Sequence, residues 1–224
     1  MNDLVFLSSQ QVDVEPFTTG DVIADHVGLS HHAVNSTINK YLTIIKRKGN
    51  GHVTFEMQRT EAGRLRKVYL LNEKQSSFLI TLFKNTAQVV DFKDQLNEEF
   101  YAMQRELIER RAQFELGKQF SKSLHATIAD SQIKMHGHEY STFNRLIYKH
   151  ALGVDSTKLR KARDIPKGEA ITMYLSSDEA EAVRLVKNRV EILLDVGMDY
   201  QQIKQALQIK GVVYKVTLQL PVKN

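Results

Sequence analysis

Three groups of side chains in this chain could do chemistry. The first is His31, His32, Asn35, Ser36, Asn39 and Lys40, whose rings, amides, hydroxyl and ammonium can hydrogen-bond base edges or phosphates. At helical spacing they lie on the face opposite Val34, Ile38, Leu42 and Ile45, which recur at i, i+4, i+8 and i+11. The second is Lys46, Arg47, Lys48, Arg59, Arg64 and Arg66, cations placed to neutralise phosphates. Their position is pointed: residues 1–38 carry Asp3, Asp13, Glu15, Asp21 and Asp25 and no Lys or Arg, whereas 39–67 carry eight cations against Glu56 and Glu61. The third is "MHGHEY", in which His136 and His138 could chelate one ion if a third ligand came from elsewhere. Gly137 marks a turn there, where histidines commonly bond backbone carbonyls, and that reading is preferred; no metal and no cofactor is expected. A further basic cluster, Lys158, Arg160, Lys161 and Arg163, could meet phosphates, an acidic protein face or only solvent.

Other chemistries lack their residues. The chain has no cysteine, which removes disulfides and thiolate zinc sites. It also has no Walker loop, no Gly-x-Gly-x-x-Gly after a strand and no Gly-x-Ser-x-Gly, so an enzyme is not expected. No run approaches the ~18 consecutive apolar residues of a membrane span, and "MNDLVFLSSQ" lacks the basic start and apolar stretch of a signal peptide. A cytoplasmic protein without membrane partners is expected.

The elements that must position these groups follow from periodicity and breakers. Residues 4–7 and 12–17, joined by "SSQQ", read as a short hairpin. A helix over 20–27 capped by Thr18 or Thr19 ends at Gly28, and a second, capped by Ser30, runs through the polar group to "KRKGNG". Ala24 is the small residue where the two helices touch, and Thr37 takes a normally apolar position that it can fill only half buried. "HVTFEMQ" and "RLRKVYLL" form an antiparallel hairpin about Gly63, with Val53, Phe55 and Met57 on one face and Leu65, Val68 and Leu70 supplied by the second strand. Helix, turn, helix and then hairpin is the order of a winged helix, with Arg59, Arg64 and Arg66 near the wing tip. Asn72 caps a helix that Asn85 closes, and 86–116 form a long helix whose Leu96, Phe100, Met103, Leu107 and Phe114 make a seam interrupted by Arg110. That seam offers a homo-oligomer contact, or packs on the N-terminal domain.

From Gly117 a second domain is expected: helices over 118–134, 141–152 and, with Ser177 as cap, about 177–196, then a short helix at 199–208 and a strand or tail in "GVVYKVTLQL". The fold class is α+β, mainly α: a winged-helix-like domain over 1–116 and a helical domain over 117–224.

The first half also resembles a known family. Leu4-Val5, Phe55-Glu56, Tyr69 with Leu71, Asn72, Glu73 and Gln75, and Val89 with Phe92 and Lys93 are similar to hallmarks of the Rha phage regulatory proteins. "MHGHEYSTFNRLIYKHALG" resembles the C-terminal domain of phage antirepressors. Together the resemblances imply a protein of a bacterial host's prophage acting in the lysis-lysogeny decision. It would bind operator DNA, or bind a phage repressor and displace it, with a homo-oligomer formed through 86–116 or the C-terminal domain.

Overall fold

The computed structural model describes residues 3–60 and 63–208 and is mainly helical, with one small antiparallel sheet. The strand or tail expected in 211–220 lies outside the described residues. The chain divides into two compact units: residues 1–9 with 14–106, and residues 10–13 with 107–224. The sequence reading placed this boundary ten residues later, at 116/117.

In the first unit, β1 (Thr18–Thr19) leads into α1 (Gly20–Val27), whose N-cap Thr19 accepts a hydrogen bond from the Val22 N–H. Gly28 ends the helix at φ 71°, a left-handed conformation that costs glycine nothing and lets its N–H satisfy the Ala24 carbonyl. Ser30 caps α2 (His31–Lys40), and Ala24 is fully buried where α1 meets it. The expected single second helix breaks at Tyr41, which leaves helical geometry before α3 (Leu42–Lys48) begins. Val34, Ile38 and Ile45 stay fully buried across the break, so the apolar period survives it. Thr37 is half buried and donates its hydroxyl to the Ala33 carbonyl.

The sheet has strand order β1-β3-β2, built from β2 (Thr54–Arg59) and β3 (Leu65–Leu71). Register pairs Phe55 with Tyr69, Met57 with Lys67 and Arg59 with Leu65, which puts Leu65 on the Phe55 face. Val68 and Leu70 are on the opposite face, so the grouping of Leu65 with them in the sequence reading does not hold. Asn72 and Gln75 then form a reciprocal capping box at the start of α4 (Glu73–Ile80), which ends before the expected closure at Asn85.

The expected hairpin over 4–17 is reduced to one bridge, Phe6 to Phe17. Other groups take its backbone: the Leu4 and Val5 N–H groups donate to Glu99 at 2.8 and 3.2 Å, and the Val12 carbonyl accepts from Arg111. Glu99 and Arg111 belong to α5 (Ala87–Asp130), a continuous helix of 44 residues with no break at Gly117. Gly within a helix costs about 1 kcal/mol, which residues buried on either side, Leu107 and Arg110 before it and Leu124 and Ile128 after it, offset. The seam is used within the chain: Leu96 and Phe100 join the first unit's core, and Arg110 donates to the Leu175 and Gln10 carbonyls.

The second unit continues with α6 (Glu139–Leu152), α7 (Ser156–Ala162), a 3₁₀ turn over Ile171–Tyr174, α8 (Ser177–Asp195) and α9 (Tyr200–Ala206). Its core gathers Leu124, Phe143, Ile147, Leu159, Val183, Val190 and Ile203. The cap of α8 is Ser176 rather than Ser177, because Glu179 three residues on closes a capping box with it.

Candidate nucleic-acid interface

The polar group on α2 separates into two sets. His32, Ser36, Asn39 and Lys40 are exposed and follow one another at helical spacing. Asn35 and His31 are held by partners within the unit, and so is the exposed Asn39: Asn35 donates its amide to the Lys67 carbonyl at 2.9 Å, and Asn39 accepts the Tyr69 hydroxyl at 2.7 Å. His31 holds Asp21 through Nδ1 at 2.8 Å and faces Asp25 through Nε2 at 3.4 Å.

Arg66 leaves the expected wing-tip set in the same way. Its guanidinium grips both carboxylate oxygens of Asp21, with Nη1 to Oδ1 at 2.7 Å, and Nη1 also lies 3.3 Å from the His31 ring nitrogen. Asp21 on α1 thus ties β3 to the start of α2, a planar fork pairing that sets orientation as well as energy. Sequence alone could not find this partnership, since 45 residues separate its members.

The remaining cations lie on α2, on α3 and about the hairpin turn. Lys40, Lys46, Arg47, Lys48, Arg59 and Arg64 are exposed, and none forms an ion pair among the described residues. Lys67, not singled out from sequence, lies 4.2 Å from the Phe55 ring centroid and 5.5 Å from that of Tyr69. Phe55, Met57 and Leu65 on this same hairpin face are 47%, 52% and 59% exposed, so it presents apolar surface edged by Arg59 and Lys67.

The placement of this surface depends on Gln75. Buried at the start of α4, it donates from Nε2 to the Ile45 carbonyl in the middle of α3 and to the His52 carbonyl before β2, at 3.3 and 2.9 Å. Gly49 must be glycine for this contact, because a Cβ there would stand 1.9 Å from Gln75 Nε2 and 2.6 Å from the His52 oxygen.

The expected second basic cluster is split. Arg163 pairs with Glu179 at 2.7 Å, with both side chains almost fully buried, and Arg160 donates to the carbonyls of Pro166 and Glu169. Lys158 and Lys161 alone of the four are exposed. At "MHGHEY", His136 and His138 are exposed while Glu139 accepts from the Met135 and Gly137 N–H groups. The Met135 N–H, more than any other group, holds the Glu139 carboxyl below its ordinary value. No group of three or more potential metal ligands is assembled among the described residues.

A helix pair joined at a left-handed glycine, followed by a hairpin and carrying exposed cations on α2, α3 and the hairpin, defines a small α+β module with a polar helix face turned outward. Residues 18–105 match the family model described as phage regulatory protein Rha, which supports a phage regulatory role. The matched span runs from β1 into the first half of α5; Leu4-Val5 and the stretch 135–153 lie outside it, and nothing in the match supports the expected antirepressor resemblance. No curated protein matches the chain. No helix among the described residues is long and apolar enough to cross a membrane.

Proposed function

We propose that this chain is a phage regulator that binds DNA through its N-terminal unit, folded as a winged helix, with α2 in the major groove and the β2-β3 hairpin as wing. The observation that carries the reading is the exposed face of α2 with His32, Ser36 and Lys40, together with five further exposed cations of the same unit, Lys46, Arg47, Lys48, Arg59 and Arg64; none of these six cations has an ion partner among the described residues. His32 and Ser36 supply hydrogen bonds to base edges, and the cations supply phosphate contacts. No catalytic residue and no cofactor enter this reading.

The test is an anisotropy titration of the full chain against DNA from its own genomic neighbourhood and against scrambled DNA, at several salt concentrations. If all six cations meet phosphates, log K falls against log salt with a slope of roughly −5. His32→Ala with Ser36→Ala is expected to remove the preference for the genomic DNA while leaving the salt slope in place. Retained preference in that variant would refute α2 as the reader.

A second reading, capture of a phage repressor in the lysis-lysogeny switch, is favoured by the exposed apolar face of Phe55, Met57 and Leu65. It predicts that the chain releases the neighbouring repressor from its operator and that Phe55→Ser with Met57→Ser abolishes this release. In that case weak, non-selective DNA binding by the chain itself is expected.

A further inference from the structure

We propose that the C-terminal unit carries a second nucleic-acid contact, a basic cleft between α6, α7 and α9 that grips backbone phosphates without reading sequence. The cleft has a volume of about 580 Å³. Arg145 and Lys149 on α6, Lys158 at the start of α7 and Lys204 on α9 converge on it, and all four are exposed. None of them forms an ion pair among the described residues. The pairs Arg145-Lys149 and Tyr200-Lys204 are each four residues apart, so each helix presents its two groups on one side. Thr142, Thr157 and Tyr200 add hydroxyls, the other side-chain donors that commonly meet phosphate oxygens.

The one carboxylate in the cleft, Asp155, is turned to the backbone, accepting from the N–H groups of Thr157 and Lys158 at 3.0 Å each. That arrangement decides the class of ligand. A small phosphorylated molecule is typically held by a cradle of free backbone N–H groups, and here Asp155 already occupies those of Thr157 and Lys158. What the cleft offers is exposed charge on long stems, the means by which proteins follow a phosphate backbone. The inference is independent of α2, and it differs from the basic cluster read in the sequence: only Lys158 is shared, because Arg160 and Arg163 are committed to the fold.

The test uses the full chain and a labelled duplex of scrambled sequence, titrated across a range of salt concentrations. The triple variant Lys149→Gln, Lys158→Gln, Lys204→Gln is expected to lower the magnitude of the salt slope by roughly 2 to 3 and to weaken binding at least about tenfold. The charge-matched control Lys122→Gln, Lys134→Gln, Lys167→Gln, at exposed positions that do not line the cleft, is expected to bind as the parent does. A control loss equal to that of the cleft variant overturns the site, and so does a cleft variant that binds like the parent. Single reversals Lys158→Glu and Lys204→Glu, on different helices, guard against misfolding of the triple, and neutrality of both likewise overturns it. Polyglutamate competing as well as DNA, with its binding lost in the same triple variant, would assign the cleft to an acidic protein instead. Failure here is separable from failure at α2: cleft variants weaken genomic and scrambled DNA equally, whereas α2 variants change their ratio.

Discussion

Replacing Gln75 by alanine tests whether the β2-β3 hairpin is positioned by a single buried amide. The substitution removes three side-chain hydrogen bonds: to the Ile45 carbonyl, to the His52 carbonyl and from the Asn72 N–H, at 3.3, 2.9 and 3.0 Å. Gln75 is 3% exposed, so water does not readily replace them. At about 1 kcal/mol net for each bond, with more for a buried group left unpaired, the loss is about 3 to 4 kcal/mol. Gln75→Glu keeps the volume but places a carboxylate against two carbonyl oxygens, and is expected to cost at least as much. Gly49→Ala reaches the same contact from the other side, since its Cβ would collide with the amide. Hydrogen exchange on the full-length chain is the assay: in all three variants, amides from the end of α3 to the start of β2 should lose protection by two or more orders of magnitude. A change under about 1 kcal/mol in both Gln75→Ala and Gly49→Ala would refute the reasoning. A harmless Gln75→Glu would show that the side chain acts by filling space.

Asp21→Ala should free Arg66 and His31 together, costing about 1 to 2 kcal/mol after allowing for the partial exposure of the pair, with β3 and the start of α2 exchanging faster. A double-mutant cycle with Arg66→Ala should return a coupling of at least about 0.5 kcal/mol, and additivity would dissolve the proposed tie. Burial pushes the Lys187 ammonium down to about 8 from its ordinary 10.5. Below pH 8 both folded and unfolded chains carry the charge, and the folded chain bears its full burial cost. Between about 8 and 10.5 only the unfolded chain holds the proton, so this group makes the fold more stable as pH rises through that window. Lys187→Met should therefore stabilise the chain at pH 7 by up to roughly 3 kcal/mol, less the lost bond to Ser121, and should flatten this rise in urea titrations at several pH values. An unaltered rise would place the effect on another group.

Much of the local structure was legible along the chain because its causes are local. Gly28 stops α1 because only a left-handed residue closes that turn, and Ser30 and Asn72 start helices because their side chains accept backbone donors a few residues on. The apolar spacing of Val34, Ile38 and Ile45 fixed which side of α2 faces inward, and hence which residues could face a partner. The site was less legible. His32, Ser36 and Lys40 lie on the expected open face, but Asn35, Arg66 and Arg163 have the same chemistry and are spent on internal partners.

What the sequence by itself determined is the helix pair α1 and α2 with the turn between them, the hairpin that follows, the capped starts of α4 and of later helices, and the concentration of charge from Lys40 on, each governed by groups within a few residues of one another. Tertiary structure alone decided which cations are free, which hairpin face is bare, that α5 runs through Gly117, and that Arg145, Lys149, Lys158 and Lys204 share one cleft. The physical reason is the same in each case: these outcomes depend on pairings between residues far apart in sequence, and a side chain's type states which bonds it can make but not which partner reaches it first.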